Sequence, residues 1–188
     1  MRWHHGHSRD FIINTGIFAA GESWVEHVPR LMPGEVAPAS GTWIYSRNII
    51  AITAGEFEVK RPDGEIRRLV AGDGGHDYCQ VGTIAFTALS NDAEWTCMVA
   101  RDLSRHWARE CVALNPGEHY EIEPSDARRC VYIATRGLRL GERDLSARKM
   151  LSVTPGSAHI LTATERAVLV MMTDSEPASL TPQPGYGA

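Results

Sequence analysis

The sequence predicts an all-β protein made of two copies of one unit, and three observations lead there. First, Leu31-Met-Pro33-Gly34-Glu35 recurs as Leu114-Asn-Pro116-Gly117-Glu118, Ile49 to Gly55 recurs as Val131 to Gly137, and Phe86-Thr87-Ala88 recurs as Leu161-Thr162-Ala163, in the same order. Self-similarity on this scale outranks any local motif as a guide to architecture. Second, the segments are short and rich in Val, Ile, Thr and aromatics, with Asp63-Gly64, Gly72 to Gly75, Arg136-Gly137, Leu140-Gly141 and Pro155-Gly156 between them. Glycine supplies the positive φ that tight turns between antiparallel strands require. Third, Glu56-Phe57-Glu58-Val59-Lys60 alternates polar with apolar, which sets one strand face on a core and the other in solvent.

In chain order, residues 1–28 read as an N-terminal arm, 29–102 as the first repeat, 103–110 as a linker, 111–174 as the second repeat and 175–188 as a tail. The arm lacks the uninterrupted apolar stretch of a secretory signal, since Asn14, Thr15 and Gly16 break the run from Phe11 to Ala20. Each repeat closes on an apolar run that ends in Asp, at Asp102 and Asp174, and the first copy holds an extra loop near residues 73–84. In the linker, Asp102 is a possible N-cap ahead of good helix formers, so a short helix or turn is expected. The tail, with Pro177, Pro182, Pro184, Gly185 and Gly187, has the composition of a segment that packs only on a partner.

A chain of 188 residues with 43% hydrophobic and 22% charged residues is an ordinary soluble globular composition. Its net charge of -4 and pI of about 6.1 argue against nonspecific binding to nucleic acid, which needs clustered positive charge. No window approaches the roughly 20 apolar residues of a membrane span, so a soluble protein made in the cytoplasm is expected. Cys79, Cys97, Cys111 and Cys130 are scattered without a C-x-x-C pair and read as reduced thiols. The sequence has no G-x-S-x-G elbow, no Walker phosphate loop, no H-E-x-x-H and no G-x-G-x-x-G opening a helix.

The succession Pro-Gly-Glu, apolar strand, Gly, strand, Asp-Gly turn, strand and Gly-x-x-His resembles the cupin superfamily. Its jelly-roll barrel is marked by G-x5-H-x-H-x3,4-E-x6-G and G-x5-P-x-G-x2-H-x3-N. Gly34 and Gly55 bracket the first motif in copy one, Gly117 and Gly137 bracket it in copy two, and Pro155-Gly156-Ser-Ala-His159 matches the end of the second motif. The resemblance implies two tandem cupin-like barrels with terminal extensions. It also implies a lost metal site. Copy one places Ser40, Thr42 and Ser46 or Arg47 at the ligand positions; copy two places Glu123, Ser125 and Cys130 there, with His159 kept and His76 one residue out of step. A cupin metal needs three imidazoles and a carboxylate on one ion, and neither copy supplies them.

The function expected first is therefore non-catalytic: a structural or assembly protein without a cofactor, forming a homo-oligomer or larger assembly through its terminal arms. A virion decoration, fibre or tail-associated component is its most specific form. Two alternatives stand beside it, a metal-dependent cupin enzyme with a variant site in the second repeat and a metal-free cupin holding a small ligand. Their candidate pocket is His119, Glu121, Glu123, Cys130 and His159, of which the first three alternate along an expected strand and so share a face. A candidate loop site is His76, Asp77 and Cys79; His4, His5 and His7 form a histidine-rich start that reads as a mobile arm.

Overall fold

Among the described residues, alternating and β-branched segments form strands, and many of the turns between them hold a glycine at positive φ, while Asp92 and Arg148 take that conformation at two others. The computed structural model describes residues 1–28, 48–61, 63–73, 82–102 and 106–175. Its first eight strands are β1 (Arg2–His7), β2 (Phe11–Phe18), β3 (Ser23–Val28), β4 (Asn48–Ala54), β5 (Glu56–Lys60), β6 (Ile66–Val70), β7 (Gly82–Ala88) and β8 (Ala93–Ala100). The next eight are β9 (His106–Leu114), β10 (His119–Ile122), β11 (Arg129–Ile133), β12 (Leu138–Leu140), β13 (Arg143–Leu145), β14 (Lys149–Val153), β15 (His159–Ala163) and β16 (Ala167–Ser175). They make four antiparallel sheets, ordered β1-β2-β8-β4 and β3-β7-β5-β6 in barrel 1, and β14-β11-β16-β9 and β10-β15-β12-β13 in barrel 2.

The two halves share one topology. β2-β8-β4 runs as β9-β16-β11 does, and β3-β7-β5-β6 as β10-β15-β12-β13. The registers coincide as well: Phe57 pairs with Ala88 and Val59 with Phe86, as Leu138 pairs with Ala163 and Leu140 with Leu161. Among the described strands, β1 lies outside β2 in barrel 1 and β14 lies outside β11 in barrel 2.

This register corrects two expectations. Residues 1–28 are not an arm, because they supply β1, β2 and β3, and β2 pairs with β8 along its whole length from Phe11↔Ala100 to Phe18↔Ala93. The counterpart of the Asn115-Pro116-Gly117-Glu118 turn is Ala19-Ala20-Gly21-Glu22, not Leu31 to Glu35. Glu118 accepts the Asn115 N–H at 2.7 Å and Glu22 accepts the Ala19 N–H at 2.8 Å, while Gly117 and Gly21 donate to the carbonyls of Ala163 and Ala88, each at 2.8 Å. Both glycines need positive φ, +89° and +82°, and that requirement survived where the neighbouring letters did not. Pro33 and Gly34 lie outside the described residues, as does the tail beyond Ser175. Of the linker, expected to hold a short helix or turn, residues 103–105 lie outside the described residues and the rest is strand: β9 starts at His106, and its nine residues pair with β16 from Ser175↔His106 to Ala167↔Leu114.

Strand alternation divides the apolar side chains among three cores. One fills barrel 1 (Phe18, Ile52, Phe57, Phe86, Trp95), one fills barrel 2 (Val131, Ile133, Leu138, Leu161, Leu169), and the third lies between the barrels. In the third, Phe11, Ile13, Ala51 and Met98 from barrel 1 meet Trp107, Cys130, Tyr132, Val168 and Met172 from barrel 2. Phe11 and Trp107 occupy the same position in the two copies and touch edge to face at 4.9 Å, so the copies meet about a local two-fold. Polar contacts fix this seam. Thr15 Oγ1 lies 3.3 Å from the Tyr132 hydroxyl and 3.1 Å from Thr96 Oγ1. Arg148 reaches the buried Glu94 at 2.5 Å, and Arg128 reaches Asp10 at the same distance. Gly72, at φ +102°, brings barrel 1 against β9, where an added Cβ would fall 2.6 Å from that of Ala113.

Truncating the seam should weaken both barrels together. Met98→Ala is expected to cost about 2–5 kcal/mol in urea unfolding, with one transition retained; two separated transitions would show that the barrels unfold independently.

Candidate functional site

The five residues of the expected pocket do not converge. β10 pairs with β15 so that His119 faces Thr162, Glu121 faces Ile160 and Ile122 faces His159. His119 and Glu121 do share a strand face, but it is the solvent face; His119 Nδ1 lies 3.0 Å from Thr162 Oγ1. Glu123 follows the strand and is exposed. His159 belongs to the opposite, inward face, half-buried, with Nε2 3.0 Å from Ser157 Oγ. Cys130 lies in the seam between the barrels, where burial first and the Asp10 carboxylate second push its thiol up to about 12. Cys111 is raised to about 12 by burial and by Asp73. Ser40, Thr42, Ser46, Arg47 and the loop residues His76, Asp77 and Cys79 lie outside the described residues.

A different set occupies the mouth of barrel 2. Arg129 starts β11 on the inward face, only 7% exposed, and its guanidinium donates to the Glu123 carbonyl at 2.5 Å and to the Ser157 carbonyl at 3.5 Å. The Tyr120 hydroxyl donates to Glu110 Oε2 at 2.7 Å. Burial, then this carboxylate partner, holds the phenol above its usual range. Beneath them Val131, Ile133, Leu161 and Leu169 are sealed from solvent. Arg129 was passed over in the sequence because it reads as one more surface arginine in Ala127-Arg128-Arg129; only strand parity separates it from Arg128, which pairs with Asp10.

This mouth does not fit a transition metal. Its inward positions carry one imidazole, His159, one carboxylate, Glu110, held by the Tyr120 hydroxyl, and a fixed guanidinium whose positive charge opposes a cation, above an aliphatic filling. Among the described residues no three His, Cys, Asp or Glu side chains gather into a ligand set. At the opposite end of barrel 2 an open groove of about 600 Å³ is lined by Arg136, Gly137, Asp144, Ser146, Arg148 and Glu165. Two of its charges are committed elsewhere, Asp144 to Arg139 at 2.6 Å and Arg148 to Glu94. Among the described residues that line it, no nucleophile is hydrogen-bonded to a base.

No family model matches the chain, and no curated protein matches it by sequence. Solved structures do. The chain is similar to a conserved protein of unknown function from Pseudomonas aeruginosa, at 14% identity over 88% of this chain and 80% of that one, with a TM-score of 0.52. It is similar to HutD from Pseudomonas fluorescens at 9% identity, with the same coverage of 88% and 80% and the same TM-score of 0.52. The fold is cupin-like. A cupin 2 conserved barrel domain protein from Leptotrichia buccalis also matches, at 8% identity over 93% and 88% of the two chains, with a TM-score of 0.44. At such identities the likeness to these solved structures is one of fold alone.

Two outcomes check this description. Arg129→Ala should cost about 2–4 kcal/mol, because it strips the donor from two main-chain carbonyls and opens a void, whereas Arg129→Met should recover part of that loss. A thiol raised from 9.0 to about 12 stays protonated in the fold while the unfolded chain ionises, so Cys111 and Cys130 make stability fall as pH climbs from about 9 towards 12. Peptide mapping after maleimide treatment at neutral pH should find both unlabelled until denaturant is added.

Proposed function

We propose that the chain is a non-catalytic assembly protein that uses a cupin-like double barrel as a rigid body and contacts copies of itself or other proteins. The observation that supports this reading is Arg129. A guanidinium, bound to two main-chain carbonyls, sits at the mouth of barrel 2 and caps a core of aliphatic side chains. A barrel closed in this way contributes shape and stability rather than chemistry. Val25 and Ile160, each 53% exposed on the strands β3 and β15, give the outer sheets apolar ground for contacts. The tail composition supports the same reading. Neither the fold nor the compared proteins speak for the narrower virion role, so the proposal stops at assembly.

Sedimentation velocity on the untagged chain should show concentration-dependent association. A chain ending at Ser175 should keep its circular dichroism and melting temperature while associating more weakly. A monomer at every concentration would contradict the proposal, as would stoichiometric transition metal by elemental analysis. His159→Ala should leave association and metal content unchanged.

A further inference from the structure

We infer that the outer sheet of barrel 1 is an interaction surface for a second molecule of this chain, and that it seats on the outer sheet of that molecule's barrel 2. The inference rests on the assembly function proposed for the chain and supplies its partner and its contact. Three cores separate the four sheets, so the β3-β7-β5-β6 and β10-β15-β12-β13 faces point outward on opposite sides of the molecule. Duplication gives the two faces one shape. A row across the first reads Ser23, Thr87, Glu58, Arg68, and the equivalent row across the second reads His119, Thr162, Arg139, Asp144. At the two charged positions of this row the signs are exchanged: Glu58 stands where the other barrel has Arg139, and Arg68 where it has Asp144. Within its own sheet Arg139 Nε reaches Asp144 at 2.6 Å and Arg68 holds Glu56, while Glu58 is exposed and makes no ion pair among the described residues.

This exchange selects unlike faces. Two barrel 1 faces laid together strand over like strand would set Glu58 on Glu58 and Arg68 on Arg68, and two barrel 2 faces would set Arg139 on Arg139; both arrangements repel. A barrel 1 face on a barrel 2 face, with β5 over β12 and β7 over β15, sets Glu58 on Arg139 and Arg68 on Asp144. The uncharged positions agree with this pairing. Thr87 meets Thr162, and Ser23 meets His119, two pairs of hydrogen-bonding groups that lie 3.0 Å from their neighbours in each sheet, Ser23 Oγ to Thr87 Oγ1 and His119 Nδ1 to Thr162 Oγ1. The stacked strands run antiparallel, so Leu89, two residues after Thr87, falls over Ile160, two residues before Thr162. Both are large apolar side chains left open to water, at 42% and 53% exposure, and the contact covers them together. Because the two faces differ and lie on opposite sides, the contact is heterologous and repeats in one direction, which stacks molecules in a row rather than closing a dimer.

The test is sedimentation velocity of the untagged full chain at low and high salt, on the wild type, Glu58→Arg, Arg139→Glu and the double variant. The wild type should form species larger than a dimer as concentration rises, and fewer of them at high salt, which screens exposed charges. Each single reversal should weaken association roughly tenfold or more, and the double variant should regain it, because the ion pair across the contact is restored with its signs exchanged. Glu58 and Arg139 are both exposed, so all three variants should keep the circular dichroism and melting temperature of the wild type. Single variants that associate as the wild type does, a folded double variant no better than the singles, or association that stops at a dimer would overturn this contact and leave assembly by another surface. A wild type that stays monomeric would overturn both.

Discussion

Face-to-face packing of the β1-β2-β8-β4 sheet on the β14-β11-β16-β9 sheet is the contact on which the rest of the structure depends. Each of these sheets is apolar on both sides: one face fills its own barrel and the other fills the seam. A sheet with two apolar faces cannot be left against water, so neither barrel is a finished unit without the other. Full burial of a single Phe, Ile or Met stabilises by about 1.5–3 kcal/mol, and Phe11, Ile13, Met98 and Met172 are all buried in the seam. Thr15, Thr96 and Tyr132 add direction to this apolar contact, and the Arg148–Glu94 and Arg128–Asp10 pairs tie the two barrels together.

That constraint explains how the duplicated halves diverged. The strand registers agree between the copies, in the outer sheets (β5-β7 and β12-β15) and in the pairs that face the seam (β2-β8 and β9-β16). The mouths carry no such restraint, and the same positions changed freely: Asn14 against Glu110, Trp24 against Tyr120, Asn48 against Arg129. One mouth became a stopper. At the other, β1 sets His5 opposite Asn14 and His7 opposite Ile12.

The all-β class, the duplication and most strands were legible in the letters because period-two alternation and turn glycines are local signals. The extent of the repeat was not. Its first turn was matched to Leu31 to Glu35 by a shared Pro-Gly-Glu, while the structural counterpart, Ala19 to Glu22, keeps only the glycine and the glutamate that the turn needs. With the wrong anchor, β2 and β3 fell outside the repeat and read as an arm. The pocket failed for a related reason. Alternation told that His119 and Glu121 share a face, but not which face meets solvent, and Arg129 could be told from Arg128 only by pairing with β14 and β16.

Hydrogen exchange followed by mass spectrometry tests the central claim, that the two barrels are stabilised as one body by the seam between them. Peptides covering β8 and β16 should be the slowest to exchange and should do so at a common rate, shifting together when Tyr132 is replaced by Ala. If β8 exchanges while β16 stays protected, or if the Tyr132→Ala exchange is confined to barrel 2, the barrels are separate folding units and the account is wrong.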